Sequence, residues 1–125
     1  MTITYTYQPR KRRIETLCEG EVTLVEVLNH FHLLSLDRTI APGADVLLDI
    51  RTLTSVPEAV QLEAATGQLK RVTSARPLGR CAVVADDALS QGVGRMWESF
   101  ASTHFSALRV FASIVDAESW LDAPW

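Results

Sequence analysis

The chain has 125 residues, with 12 basic and 15 acidic side chains, a formal net charge of −3 and 47% hydrophobic residues. One domain is expected at this length, and the balance of apolar and charged residues excludes a disordered, collagen-like or coiled-coil chain. The slight acidic excess argues against a general nucleic-acid binder, which carries a basic surplus.

Ile3 to Tyr7 alternates and is rich in β-formers, so it reads as a first strand. Pro9 and the basic run Arg10-Lys11-Arg12-Arg13 break it. Alternation resumes from Arg13 to Glu19 and stops at Gly20, which predicts a β-hairpin with a basic turn. Thr23 and Glu26 fit a capping box, and Leu24, Val27, Leu28, Phe31 and Leu34 recur at helical spacing, which predicts a helix over 24–36. After Pro42-Gly43, the segment 45–50 reads as a buried central strand, followed by a polar loop over 51–56. Pro57 suits a first helical position, and Leu62, Ala65, Leu69 and Val72 form the inner stripe of that second helix. Arg76-Pro77-Leu78-Gly79 reads as a turn and 81–85 as another buried strand. Asp86 or Asp87 caps a third helix carrying Leu89, Val93, Met96, Trp97 and Phe100. A last strand over 107–111 precedes a short helix with Asp116 as its cap and Trp120 and Leu121 on one face.

The order β-β-α-β-α-β-α-β-α predicts an α/β domain over 1–125. It has a single-layer mixed, mostly parallel sheet of about five strands, with about four helices. No segment approaches the ~18–20 apolar residues of a membrane span, and the N-terminus lacks the order of a signal peptide. Cys18 and Cys81 lie in separate apolar runs without metal-ligand spacing, so two reduced thiols, no metal site and a cytoplasmic location are expected.

The C-terminal third carries Gly92-Val93-Gly94-Arg95-Met96-Trp97-Glu98-Ser99-Phe100, then Leu108-Arg109-Val110-Phe111, then Ala117-Glu118-Ser119-Trp120-Leu121. Together with the central Val46-Leu47-Leu48-Asp49-Ile50-Arg51, this resembles the SpoIIAA-like family of the STAS fold. The specific match covers about residues 80–121, mostly core positions, and so implies a fold more than a function. In anti-sigma-factor antagonists of this fold, a phosphorylatable Ser follows the central strand in an Asp-Ser-Ser-Gly motif. That motif is absent, and a gapless register places Pro57-Glu58-Ala59-Val60 there. The resemblance implies a non-enzymatic protein-interaction or regulatory module, with an unknown protein partner or a second copy. Its similarity in topology to CRAL-TRIO domains implies an alternative: binding of a small apolar ligand or lipid, with peripheral membrane association.

Ligands of open α/β sheets sit at the carboxyl ends of strands. Asp49, Arg51, Thr54, Ser55 and Trp97 are therefore the candidate partner- or ligand-contact residues, with Thr54 and Ser55 the candidate phosphoacceptors. Arg10, Lys11, Arg12 and Arg13 are the candidate membrane contact. Asp86 and Asp87 read as helix caps. His30 and His32, two apart on a helix, do not form a metal-binding pair. With His104 they complete no catalytic motif, so no catalytic residue and no cofactor is expected. Gly92 and Gly94 read as points of close helix–sheet approach, or as loosening the third helix so that it can move over a ligand. Trp125 reads as exposed or docked in a groove, of this chain or of a partner subunit.

Overall fold

Side-chain alternation creates two faces on one sheet, and chain connectivity decides which face each helix covers. The computed structural model describes residues 3–124, so Trp125 lies outside the described residues. Strands β1 (Ile3–Gln8), β2 (Arg13–Gly20), β3 (Ala44–Leu53), β4 (Leu78–Val84) and β5 (Ala107–Phe111) lie in the order β1-β2-β3-β4-β5. The first pair is antiparallel and the rest are parallel. Helices α1 (Leu24–Leu36), α2 (Ala59–Ala75), α3 (Ala88–Ala101) and α4 (Ile114–Asp122) complete the fold, with a 3-10 turn at Ser102–His104. The α/β architecture and its element order are those expected from the sequence.

Three parallel crossovers of one hand, each advancing the sheet by one strand in the same direction, stack their helices on one face. Accordingly α1, α2 and α3 share one core with the inward side chains Ile14, Ile50, Cys81, Val83 and Leu108. Only α4 is left for the other face, where Ala117 and Leu121 cover Leu47, Ala82 and Val84. β4, enclosed on both sides, is buried from Gly79 to Val84. No helix among the described residues is long and apolar enough to cross a membrane.

Several local expectations change. The basic run is not one exposed turn. Arg10, Lys11 and Arg12 are exposed, but Arg13 opens β2, is 2% exposed and donates to Asp122 Oδ1 at 2.6 Å. Alternation turns it to the outer face, where the end of α4 covers it, so it is removed from the candidate membrane contact. Pro57 lies outside α2, whose N-cap is Glu58. Leu78 and Gly79 belong to β4 rather than to a turn, and β3 runs on through Leu53. Ser113, not Asp116, caps α4, accepting from the Asp116 N–H.

The two glycines of α3 differ. A Cβ on Gly94 would meet Val110 Cγ1 at 3.2 Å and Val83 Cγ1 at 3.4 Å, whereas one on Gly92 would meet nothing within 4 Å. Close approach therefore explains Gly94 alone. Gly92→Ala is expected to raise stability by about 0.5–1 kcal/mol through helix propensity. Gly94→Val is expected to lower it by about 1–3 kcal/mol by forcing α3 off the sheet. Urea denaturation of both variants checks this, and a Gly94→Val midpoint at or above the parent's would refute the packing account.

Candidate functional site

Between the sheet and helices α1 and α2 lies an apolar cavity of about 150 Å³. Its floor is the inner face of β2 and β3, including Thr16, Val46 and Leu48. Its roof is Val27, His30, Phe31 and Leu34 of α1 with Leu62, Ala65 and Leu69 of α2. Short side chains, namely Ala65, Thr16, Cys18 and Cys81, stand where larger ones would interdigitate. The consequence shows on the central strand: Val46 and Leu48 face the core yet are only half-buried.

The cavity runs along the strands. At their carboxyl ends it is bounded by Val22, Leu53, Ser55, Pro57 and Gln61, and at their amino ends by Ile40, Ala41, Arg76, Pro77 and Leu78. Gln61 crosses the first end: its Nε2 donates to Val22 O at 3.1 Å, while its Oε1 accepts from the Glu58 N–H at 2.8 Å. Arg76 closes the second. Its guanidinium donates to the carbonyls of Leu34, Asp37 and Ile40, so it caps the end of α1, which has no basic residue in its own last turn. Cations at a helix C-terminus are favourable because free carbonyls and the helix dipole both attract them.

Few polar groups reach this space. His30 packs edge-on against Tyr5 and Phe31, at centroid distances of 5.7 and 5.1 Å, and burial lowers its pKa to about 4. Thr16 is the cross-strand partner of Tyr5, so Thr16 and His30 flank the same ring. Tyr5 points its hydroxyl away, donating to Asp37 Oδ2 at 2.9 Å; burial, then this bond, pushes its pKa up to about 12. Cys18 and Cys81 are free thiols, and burial pushes both up to about 12, which leaves them protonated and unreactive near neutral pH. The Trp97 indole N–H is buried without a hydrogen-bond partner; the neighbouring Cys81 sulfur, on which it acts, is a weak acceptor.

The candidate residues divide between the two faces of the sheet. Ser55 and Trp97 line the cavity. Asp49 and Arg51 turn to the outer face and satisfy each other: Arg51 Nε and Nη2 donate to the two Asp49 oxygens at 3.0 and 2.8 Å. Burial pulls the Asp49 pKa up, but the bonds from Arg51 outweigh it and hold the carboxyl low. Thr54 is exposed, and its N–H donates to Gly20 O. The Glu58 carboxylate occupies the start of α2 and would repel a phosphate there. Asp87 is the N-cap of α3, accepting from the Ser90 N–H at 2.8 Å, and Asp86 is exposed. His30 was not among the expected contact residues, yet its spacing from Val27 and Leu34 already places it beside the inner stripe of α1.

A mixed sheet in sequential order, three helices on one face and one on the other, define a SpoIIAA-like fold. The chain is similar in structure to an uncharacterised protein of the DUF3478 family from Shewanella loihica PV-4, itself described as having a SpoIIAA-like fold. The TM-score is 0.61 with 18% identity, over 95% of this chain and 91% of that one. At that identity the likeness shows the fold alone. Neither a protein-family profile nor a curated protein sequence matches the chain.

Proposed function

We propose that the chain binds a small, uncharged, mainly apolar molecule in the cavity between the sheet and helices α1 and α2. The observation that carries this reading is the space itself: about 150 Å³ beneath two helices, with the central-strand residues Val46 and Leu48 left accessible. A void of about this volume with apolar walls stays dry and takes up benzene-sized molecules. Among the described residues Arg76 is the one charged side chain on the wall, and three carbonyls already engage its guanidinium. A charged ligand would lie buried without a counterion, which is strongly unfavourable. The neutral His30 ring and the Thr16 hydroxyl offer a hydrogen bond to a single hydroxyl or carbonyl group on an otherwise apolar body. The regulatory, partner-binding alternative has weaker support, because Asp49 and Arg51 neutralise each other on the face opposite Ser55 and Trp97.

Ala65→Leu tests the reading. In a close-packed core the added atoms would cost about 1–3 kcal/mol. Here they enter empty space, so stability is expected to hold or rise. Toluene or phenol at saturation is expected to raise the melting temperature of the parent and not of Ala65→Leu, because a ligand that binds only the native state stabilises it. A destabilised Ala65→Leu protein, or a parent whose melting temperature no small apolar molecule raises, would refute it.

A further inference from the structure

Charge is segregated along the strand direction, and the net charge of −3 conceals it. The amino ends of β2 to β5 point the same way because these strands are parallel, and α1 and α2 run back to finish at that end. Direct contacts join the pieces there: the Asp45 N–H donates to Arg12 O, the Gly43 N–H to Pro77 O, and Arg76 ties the end of α2 to the last carbonyls of α1. This end presents Arg10, Lys11, Arg12, Arg38, Lys70 and Arg71, all exposed and none in an ion pair among the described residues. Three carboxylates of the same end are already engaged. Asp37 accepts from Tyr5 and Thr39, Asp45 from the Arg80 N–H, and Asp122 from Arg13. The opposite end carries the exposed Glu19, Glu21, Glu58, Glu63, Asp86 and Asp87.

Beside the basic residues, Leu33 and Leu36 in the last turn of α1 are 45% and 63% exposed. We propose that this end of the molecule docks on an anionic bilayer surface, with the two leucines entering the headgroup region. Basic side chains that attract anionic lipid, next to apolar side chains that enter the interface, are the two components of peripheral membrane binding. A nucleic acid would use the charge but gains nothing from leucines, since its bases stack on aromatic or guanidinium planes. The docking surface is outside the cavity and stands whether or not the cavity holds a ligand.

Co-sedimentation with phosphatidylcholine vesicles, with and without phosphatidylserine, tests it on the full chain. The protein is expected to pellet only with the serine lipid and to be released by salt. The pair Lys70→Glu and Arg71→Glu touches no buried contact and is expected to lower the partition coefficient at least about tenfold, since each basic residue near the surface contributes about fivefold. Leu33→Ser with Leu36→Ser is expected to weaken binding at low salt as well. Glu63→Gln at the acidic end is expected to change nothing. Thermal melts establish that each variant is folded, and an unchanged toluene response separates loss of docking from loss of the cavity. Equal pelleting with neutral vesicles, indifference to the charge reversal, or indifference to the leucine substitutions would overturn the proposal. So would a DNA duplex binding as tightly and competing with vesicles, or salt-sensitive self-association without vesicle binding.

Discussion

Arg80→Met is expected to lower the unfolding free energy by about 3 kcal/mol, the loss typical of removing one partner from a buried charged network. Arg80 is 6% exposed and extends along the outer face of the sheet to the end of α4. Its Nη1 donates to Trp120 O at 2.8 Å, and its Nη2 donates to Leu121 O at 2.8 Å and to Ala123 O at 3.0 Å. The guanidinium also lies 3.7 Å from Asp45 Oδ2 and 5.3 Å from the centroid of the Trp120 ring. α4 has nine residues and no basic residue in its last turn, so its terminal carbonyls depend on this side chain from β4. Methionine keeps much of the stem's volume and none of the donors. Arg80→Lys is expected to recover only part of the loss, because one ammonium cannot reproduce a planar fork that serves several carbonyls. Urea denaturation gives the magnitude, and a midpoint within error of the parent's for Arg80→Met would show that solvent can replace the cap. Arg13→Ala is expected to cost less, because its partner Asp122 is 55% exposed and can return to water.

What could be read from the sequence follows from which interactions are local. α1 spans the residues its periodicity predicts, and its capping box forms, with the Glu26 N–H donating to Thr23 Oγ1 and the Thr23 N–H to Glu26 Oε2. The strands, their order and the fold follow from alternation and connection lengths. The fates of Arg13 and Arg80 do not. Alternation assigns both to the outer face, but only the return of α4 across that face buries them, more than a hundred residues after Arg13 in one case and about forty after Arg80 in the other. The cavity is similarly hidden. Val46, Leu48 and Leu34 have the composition of a filled core, and empty space has no residue type. Of the candidate contacts, Ser55 and Trp97 both line the cavity, whereas Asp49 and Arg51 are separated from it by the sheet itself. The two charge poles combine the known positions of the charges with strand direction, so they become visible only once the parallel pairing is known.

Acidification is expected to destabilise the protein between about pH 6.5 and pH 4, with His30 as the principal cause. Burial lowers its pKa from 6.5 to about 4 in the folded chain. Below pH 6.5 the unfolded chain therefore binds a proton that the folded chain refuses, and stability falls as pH falls until the folded state also takes it up near pH 4. Each tenfold loss of proton affinity corresponds to about 1.4 kcal/mol, so the full loss is about 2–3 kcal/mol once partial solvent access is allowed for. The carboxylates act in another window. Hydrogen bonds from Thr39 hold Asp37 low, bonds from Ser90 hold Asp87 low, and the bond from Arg13 holds Asp122 low. Their contributions are complete above the ordinary carboxylate range and disappear only as pH falls through it. His30→Phe keeps an aromatic ring against Tyr5 and Phe31 and removes the titrating group. Its stability is expected to be flat from pH 6.5 to about 4.5, where the parent declines. Parallel pH profiles for the two proteins would show that the imidazole is hydrated in the folded state. The cavity wall at α1 would then be wet, which would also weaken the case for an apolar ligand.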